Sequence, residues 1–493
     1  MNFISQATGY WLLLFFGIGM VAVTYFFARW DRWRTKEGFL VAGRNVGWLI
    51  GGFSIAASWI WAPALFVSVQ ISYQKGLAGI FWFTLPNILS LTIFAFLAPR
   101  IRSRLPQGYT LPQYIKSVFR TQRVHKVYLF PFFFYQLMAV VVQLYAGSNL
   151  VSLLTGIPVP FVMVLLAIIV TGYTLISGLE ASIVTDFVQL SMIFVAGLII
   201  IPLAWKAGGG YPSVAAGFGG QSGVRNMFDP GVAFSFGIVT SIGLIAGSIS
   251  DQSNWQRAFA VRKGELVKAF VFGSLLFGIV PISLSILGFL AANPALNIHL
   301  PAGVDVSMIG VQTIAHLLPE WAVILFLLML LAALSSALDA GLVAASSLWV
   351  ADISKPETDE GAVRSARRSM LGMTILGLLV ALGVLYIPGF GLQQLWWIFN
   401  TIAACVMMPT VLSLYQKRMS ETGVFWGILV SFVVGVPLFV YGNIIDSPAW
   451  IVGASLFIVV VSTVCCLAIG RKDAIDLRVA DFSLEEARVG SRS

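Results

Sequence analysis

The chain has 493 residues, of which 58% are hydrophobic and 10% charged, and its formal net charge is +9. Soluble domains carry about 25% charged residues, so this composition excludes a soluble globular protein and indicates a polytopic membrane protein. The three cysteines, Cys405, Cys465 and Cys466, fall inside apolar runs and the three histidines are scattered, so neither a disulfide framework nor a Cys/His metal pattern is expected.

Apolar runs of roughly 20 residues, enough to cross a bilayer, are read near 9 to 29, 46 to 71, 78 to 99, 127 to 152, 158 to 177, 183 to 205, 232 to 250, 266 to 291, 321 to 350, 370 to 388, 393 to 415, 422 to 442 and 448 to 470. That predicts thirteen spans. With the N-terminus outside, 27 of the 30 Lys and Arg fall in inner segments, Arg257 among them, leaving only Lys75, Lys206 and Arg225 outside. Positive charge accumulates in cytoplasmic loops, so the +9 reflects topology and carries no implication of nucleic-acid binding. The first span has no basic segment ahead of it and no convincing cleavage site, and is expected to be retained rather than removed as a signal peptide.

The second span, around SIAASWIWAPALFVSVQIS from Ser54 to Ser72, predicts an interrupted helix. Ala56, Ala57 and Ser58 allow close approach to the backbone. Trp59 and Trp61 lie deep in the span although indoles favour the interface. Pro63 lacks an amide proton and clashes with the carbonyl four residues back, and carbonyls freed in hydrocarbon must line a cavity or bind something.

Pro86 and Asn87 follow in the third span, and QGYTLPQYIKSVF after it reads as a short surface helix. The fourth span carries the buried amides Gln143 and Asn149, for which interhelical hydrogen bonding is the simplest role. SGLEASIVTDFVQ, 177 to 189, puts Asp186 about one turn inside a span, where a carboxylate costs roughly 2.5 to 3.5 kcal/mol on insertion scales. Such a residue is a functional candidate, its alternative being a solvated or arginine-paired interfacial position. The loop from 206 to 230, rich in glycine and serine, is expected to be mobile. The seventh span is interrupted by Gly237, Gly243 and Gly247 and leads into Asp251, Gln252, Trp255, Gln256 and Arg257. Two interrupted spans five apart fit a pair of related halves. In the ninth span Ser335, Ser336 and Asp339 lie within one turn, so their oxygens can converge. Ser346 and Ser347 more simply bond back to their own helix. The segment after Gly470 is polar and expected to be loosely ordered.

Several of these stretches resemble the sodium:solute symporter family: FLVAGRNVGW at 39 to 48, SGLEASIVTDFVQ, the DQSNWQRA run from Asp251, and SSALDAGLVAASSLWVADI from Ser335. The resemblance covers roughly 35 to 415. It implies an all-α polytopic membrane protein of about 13 transmembrane helices, with a LeuT-like core of two inverted five-helix repeats. The expected organisation is an added helix and loop (1–45), a first repeat (46–205), an external loop (206–231), a second repeat (232–415), two further helices (416–470) and a tail (471–493). Substrate would sit where the two interrupted helices unwind. The family's shared sodium site falls by ungapped matching on Ala57, Ile60, Ala333, Ser336 and Ala337. Ala337 lacks the usual hydroxyl, a deficit that Ser335 or Asp339 would have to repair. A second family cation feature matches Asp186, Ser336 and Asp339, and two neighbouring carboxylates could instead share a proton.

SWIWAPAL, YQKGLAGIFWF and DQSNWQRA look closest to the urea-permease branch of that family. The expectation is therefore a sodium- or proton-coupled symporter importing a small polar solute, with urea as leading candidate and an amino acid such as proline as alternative. Passive channel and transporter-like sensor remain rivals of another class, and no catalytic constellation suggests an enzyme. Candidate solute residues are Trp59, Trp61, Gln143, Ser248, Asp251 and Trp255, and no Arg or Lys is placed in their region. Candidate ion residues are Ala57, Ile60, Ala333, Ser335, Ser336, Asp339 and Asp186. The implied partners are the solute, the coupling Na+ or H+ and the lipid bilayer of an inner or plasma membrane, with no cofactor and the C-terminus cytoplasmic.

Overall fold

In the computed structural model, residues 3–27, 34–387, 391–416, 418–470 and 473–474 are described. They form long helices, joined by short ones, and a single two-residue ladder pairing Arg418–Met419 with Asp473–Ala474. The rest of the segment after Gly470 lies outside the described residues.

Among the described residues twelve helices are long and apolar enough to cross a membrane. The difference from thirteen has one cause. The second predicted span begins as α2 (Trp48–Trp59), only 12 residues long, breaks, and resumes in a wide turn at Pro63–Val67 that runs into α3 (Ser68–Arg104). Its second half is therefore fused to the third span in one 42-residue run, Pro63–Arg104. That run turns at Gly76 (φ 58°, ψ −141°), so it contains both the end of one crossing and the whole of the next. A long bent helix arises again in α5 (Val159–Ala207), where Gly178 (φ 64°) separates the two apolar stretches Val159–Ile176 and Gly178–Ala207. Thirteen crossings result.

The other spans are α1 (Gln6–Phe27), α4 (Gln122–Thr155), α8 (Leu266–Ala292), α9 (Glu320–Leu348), α10 (Asp359–Val384), α11 (Leu392–Tyr415), α12 (Glu421–Ile444) and α13 (Pro448–Ala468). The seventh predicted span is α6 (Ile238–Ser250), which breaks at Asp251 and continues as α7 (Gln252–Ala260). The core is two inverted five-helix repeats, each beginning with an interrupted helix. In the apolar windows of α9 and α11, 78% of residues are buried, against 33% in α1 and 28% in α10, which places α9 and α11 at the centre and α1 and α10 toward lipid. Helix α9 packs along α4 and α5, and α8 along α2 and α3.

Two loops differ from expectation. The stretch 206 to 230 is ordered against the Gly76 turn: Leu77 donates its amide to Phe218 O at 2.9 Å, Gln221 to Tyr73 O at 2.8 Å and Ser222 to Gln74 O at 3.0 Å. Small residues let these backbones meet, and that close approach outweighs the flexibility their composition suggested. The expected surface helix, Leu111–Phe119, is half sunk into the protein, with Leu111, Pro112, Tyr114 and Ile115 buried.

Gly76→Ala is expected to be destabilising, because it adds a side chain at positive φ, costing about 1–2 kcal/mol, and drives its Cβ into the Phe218 carbonyl. Thermal melting of purified protein in detergent would read this as a fall of several degrees, with Gly383→Ala, where an added Cβ meets no atom within 4 Å, as the unchanged control.

Candidate solute and ion sites

The break after α2 is shaped by what its backbone groups can bond to. Ile60 leaves the helical region (φ −78°, ψ 75°). The Trp61 amide donates to Trp59 O at 2.9 Å and the Trp61 indole Nε1 to Ser58 O at 2.8 Å. The Ala62 amide, which has no helical acceptor, donates to Gln143 Oε1 at 2.9 Å from α4. Each bond spares a buried polar group, whose loss would cost about 1–3 kcal/mol. Gln143 thus braces the break.

The second break is satisfied in the same way. Asp251 caps α7 by accepting from the Ser253 amide at 2.8 Å. The carbonyls freed at the end of α6 are taken by side chains reaching back from α7: Asn254 Nδ2 donates to Ser248 O at 3.1 Å, and Trp255 Nε1 to Ile249 O at 2.7 Å. Gln252 Nε2 donates to Tyr109 O at 2.8 Å and Ser347 Oγ at 3.1 Å; Gln256 Nε2 donates to Leu40 O at 3.0 Å and Val343 O at 3.3 Å.

Between the two breaks lies a small cavity of about 20 Å³, bounded by Trp59, Trp61, Phe83, Asn87, Tyr135 and Leu244, with Trp396 and Phe399 of α11 closing it. The Trp61 ring stacks on Phe399 with centroids 5.2 Å apart and planes at 29°, and meets Tyr135 at 5.2 Å. Trp59 donates its indole N–H to Asn87 Oδ1 at 3.1 Å. Among the described residues no charged side chain lines this space. The aromatic faces, rather than the indole N–H groups, are available to a ligand.

A second polar centre joins four helices. Arg257 of α7 donates through Nη2 to Asp186 Oδ2 of α5 at 2.8 Å and through Nε to Ser54 Oγ of α2 at 2.8 Å. Ser54 Oγ donates to the same carboxylate oxygen at 2.5 Å, and Ser336 Oγ of α9 donates to Asp186 Oδ1 at 2.5 Å. The side chains of Arg257 and Asp186 are 1% and 0% exposed. One turn along α9 from Ser336, Asp339 is also buried: Thr185 Oγ1 lies 3.3 Å from its Oδ2, while its Oδ1 has no hydrogen-bond partner among the described residues. Tyr173 approaches the same region, donating its hydroxyl to Ser335 O at 3.2 Å.

The model of the sodium:solute symporter family matches residues 39–431. The chain belongs to the sodium:solute symporter family. It is 25% identical over 478 residues to the urea-proton symporter DUR3 of Oryza sativa subsp. japonica, covering 88% of this chain and 65% of that protein. It is 25% identical over 460 residues to the urea active transporter of Saccharomyces cerevisiae, covering 85% and 61%. The chain thus spans a little under two thirds of the length of these relatives. In fold it is similar to a substrate-bound, outward-open Na+-coupled sialic acid symporter, with a TM-score of 0.77 at 18% identity over 96% of this chain and all of that one.

The fold distributes the candidate residues unevenly. Trp59 and Trp61 line the cavity, and Gln143 supports the break beside it. Ser248, Asp251 and Trp255 do not line it: Ser248 Oγ donates to Ile245 O at 2.9 Å, Asp251 caps a helix, and Trp255 packs edge-on to Phe94 with centroids 4.5 Å apart. Their polarity serves the helix break, which a motif read in one dimension cannot distinguish from contact with solute. Ala57, Ile60, Ala333, Ser335, Ser336, Asp339 and Asp186 are all buried. Ala57 O already accepts from the Ile60 amide at 3.2 Å, and the Ser336 hydroxyl is committed to Asp186. Arg257, expected in an inner loop, is instead buried in the protein as the partner of Asp186. Ser54, Thr185 and Tyr173 were missed, although Ser54 and Thr185 lie within stretches already singled out; nothing in the sequence signals Tyr173. The aromatic partners Phe83, Tyr135, Trp396 and Phe399 come from three other helices.

Breaking a buried ion pair on one side costs about 3–5 kcal/mol, whereas replacing both charges is far milder. Asp186→Asn and Arg257→Gln are therefore each expected to lower the melting temperature in detergent strongly, and the double variant to recover much of the loss. Additive losses in the double variant would contradict the pairing.

Proposed function

We propose that this chain is a proton-coupled symporter that takes up a small, flat, uncharged polar solute, urea first among the candidates, with the basic loops on the cytoplasmic side and the N-terminus outside. The observation that carries the solute class is the uncharged aromatic cavity between the two helix breaks. A charged solute would need a counter-charge when taken out of water, and the cavity lining offers none. Stacked rings suit a planar molecule. Two relatives named as urea transporters support the same choice.

The choice of proton rests on the second centre. Sodium, like other hard cations, seeks several oxygen ligands. Here Ala337 supplies none from its side chain, the Ser336 hydroxyl points its proton at Asp186, and Arg257 already neutralises that carboxylate. Asp339 keeps one buried oxygen unpaired, a position that a proton satisfies with a single bond. In this reading Asp339 carries the coupling proton, and the Asp186–Arg257 pair positions α2, α7 and α9 around it. Sodium coupling is the second reading, favoured by the buried cluster of Ala57, Ile60, Ala333 and Ser336 next to the first break.

Urea uptake into proteoliposomes under an inward proton gradient, an inward sodium gradient or neither separates these readings. Accumulation is expected with protons alone; accumulation with sodium alone would overturn the proton assignment. Asp339→Asn is expected to abolish accumulation while preserving gradient-free urea exchange, and an unchanged gradient response would remove Asp339 from the ion path. Trp61→Ala is expected to raise the half-saturating urea concentration about 2- to 12-fold, the worth of roughly 0.5–1.5 kcal/mol of aromatic contact.

A further inference from the structure

An open groove of about 660 Å³ lies on the membrane-facing side, between α4, the end of α9 and α10, at the level of the basic loops. Its long wall is apolar, built from Phe130, Phe133 and Phe134 of α4 with Met373 and Leu376 of α10. Its loop-side end is polar and carries Arg368 with Ser354, Ser365 and Ser369.

The three neighbouring arginines of α10 are not equivalent. Arg364 is paired with Glu360 at 2.6 Å, and Arg367 donates to the carbonyls of Leu175 and Ile176 at 2.9 and 3.0 Å. Arg368 lines the groove and has no hydrogen bond or ion pair among the described residues. Ser365 donates to Ser354 Oγ at 2.9 Å, which leaves the Ser354 proton free to donate. A guanidinium with adjacent hydroxyls matches the geometry of a phosphate diester, and the apolar wall continues from it toward the bilayer interior.

We propose that this groove is a binding site for an anionic glycerophospholipid of the adjacent leaflet, its phosphate at Arg368 and the Ser354 hydroxyl and one acyl chain along the phenylalanines of α4. Charge complementarity at one end and apolar complementarity along the other select this occupant over a detergent-like apolar chain. Basic pockets between transmembrane helices bind anionic headgroups on the same physical grounds. The groove floor includes the Trp349–Ser354 turn that ends α9, the helix carrying Ser336 and Asp339. The proposal does not depend on the solute or the coupling ion.

The test is native mass spectrometry of delipidated full-length protein titrated with phosphatidylglycerol or phosphatidylcholine. About five-fold tighter retention of phosphatidylglycerol is expected, the equivalent of roughly 1 kcal/mol per basic residue at the membrane surface. Arg368→Gln should erase that preference and Arg364→Gln should keep it. Gly372→Phe, placed where an added Cβ meets no atom within 4 Å, should fill the groove and weaken both lipids without lowering the melting temperature. Equal retention of the two lipids by the parent, or equal loss of preference in Arg364→Gln and Arg368→Gln, would overturn the site.

Discussion

The buried pair of Asp186 and Arg257 ties four helices together at one point. Through Ser54 and Ser336 it links α2, α5, α7 and α9, the two half-helices of the breaks and the two long helices that flank them. Bare charges at this depth would cost several kcal/mol each, so each charge requires the other, and both hydroxyls, to be in place. Their shared geometry fixes the approach of α2 to α7. A parallel bridge below it does the same from the backbone: Val46 donates to Ala260 O at 3.1 Å, and Arg262 to Val46 O at 3.0 Å. Glu265 completes the clamp by accepting from the Trp48 amide at 2.7 Å, at the helix end where a carboxylate is favoured. The half-helices on this side form one body.

That clamp explains why the breaks can exist. An interrupted helix in a membrane exposes carbonyls and amides that water cannot reach, and the structure must answer each one internally. The first break is answered by the Trp61 indole and amide and by Gln143; the second by Asp251, Asn254 and Trp255. Each of these side chains commits one group to a break, and the space between the breaks is lined mainly by aromatic side chains.

The same accounting applies to the buried carboxylates. Asp186 has three donors on its two oxygens, Asp251 has two donors on one oxygen and none on the other, and Asp339 has a long contact from Thr185, with Ser182 nearby and one oxygen without a hydrogen bond among the described residues. A buried carboxylate with an unpaired oxygen, beside the Asp186 centre, is a place whose state a passing ion can change.

The sequence by itself determined the membrane class, the thirteen crossings, the two interrupted helices and the family, because apolar run length, basic-loop asymmetry, Pro63 and the spaced motifs are one-dimensional signals. It also singled out Trp59, Trp61, Asp186 and Asp339. Only the tertiary structure decided what those residues face. Arg257 reads as loop charge until folding brings it to Asp186 of α5, and the structure places Ser248, Asp251 and Trp255 at the second break, where Asp251 and Trp255 bond its backbone groups. Phe83, Tyr135, Trp396 and Phe399 lie on three helices far apart in sequence, and their convergence depends on packing that no local pattern encodes. Spacing reports which face of a helix a residue shares; the partner across that face is set by the other helices.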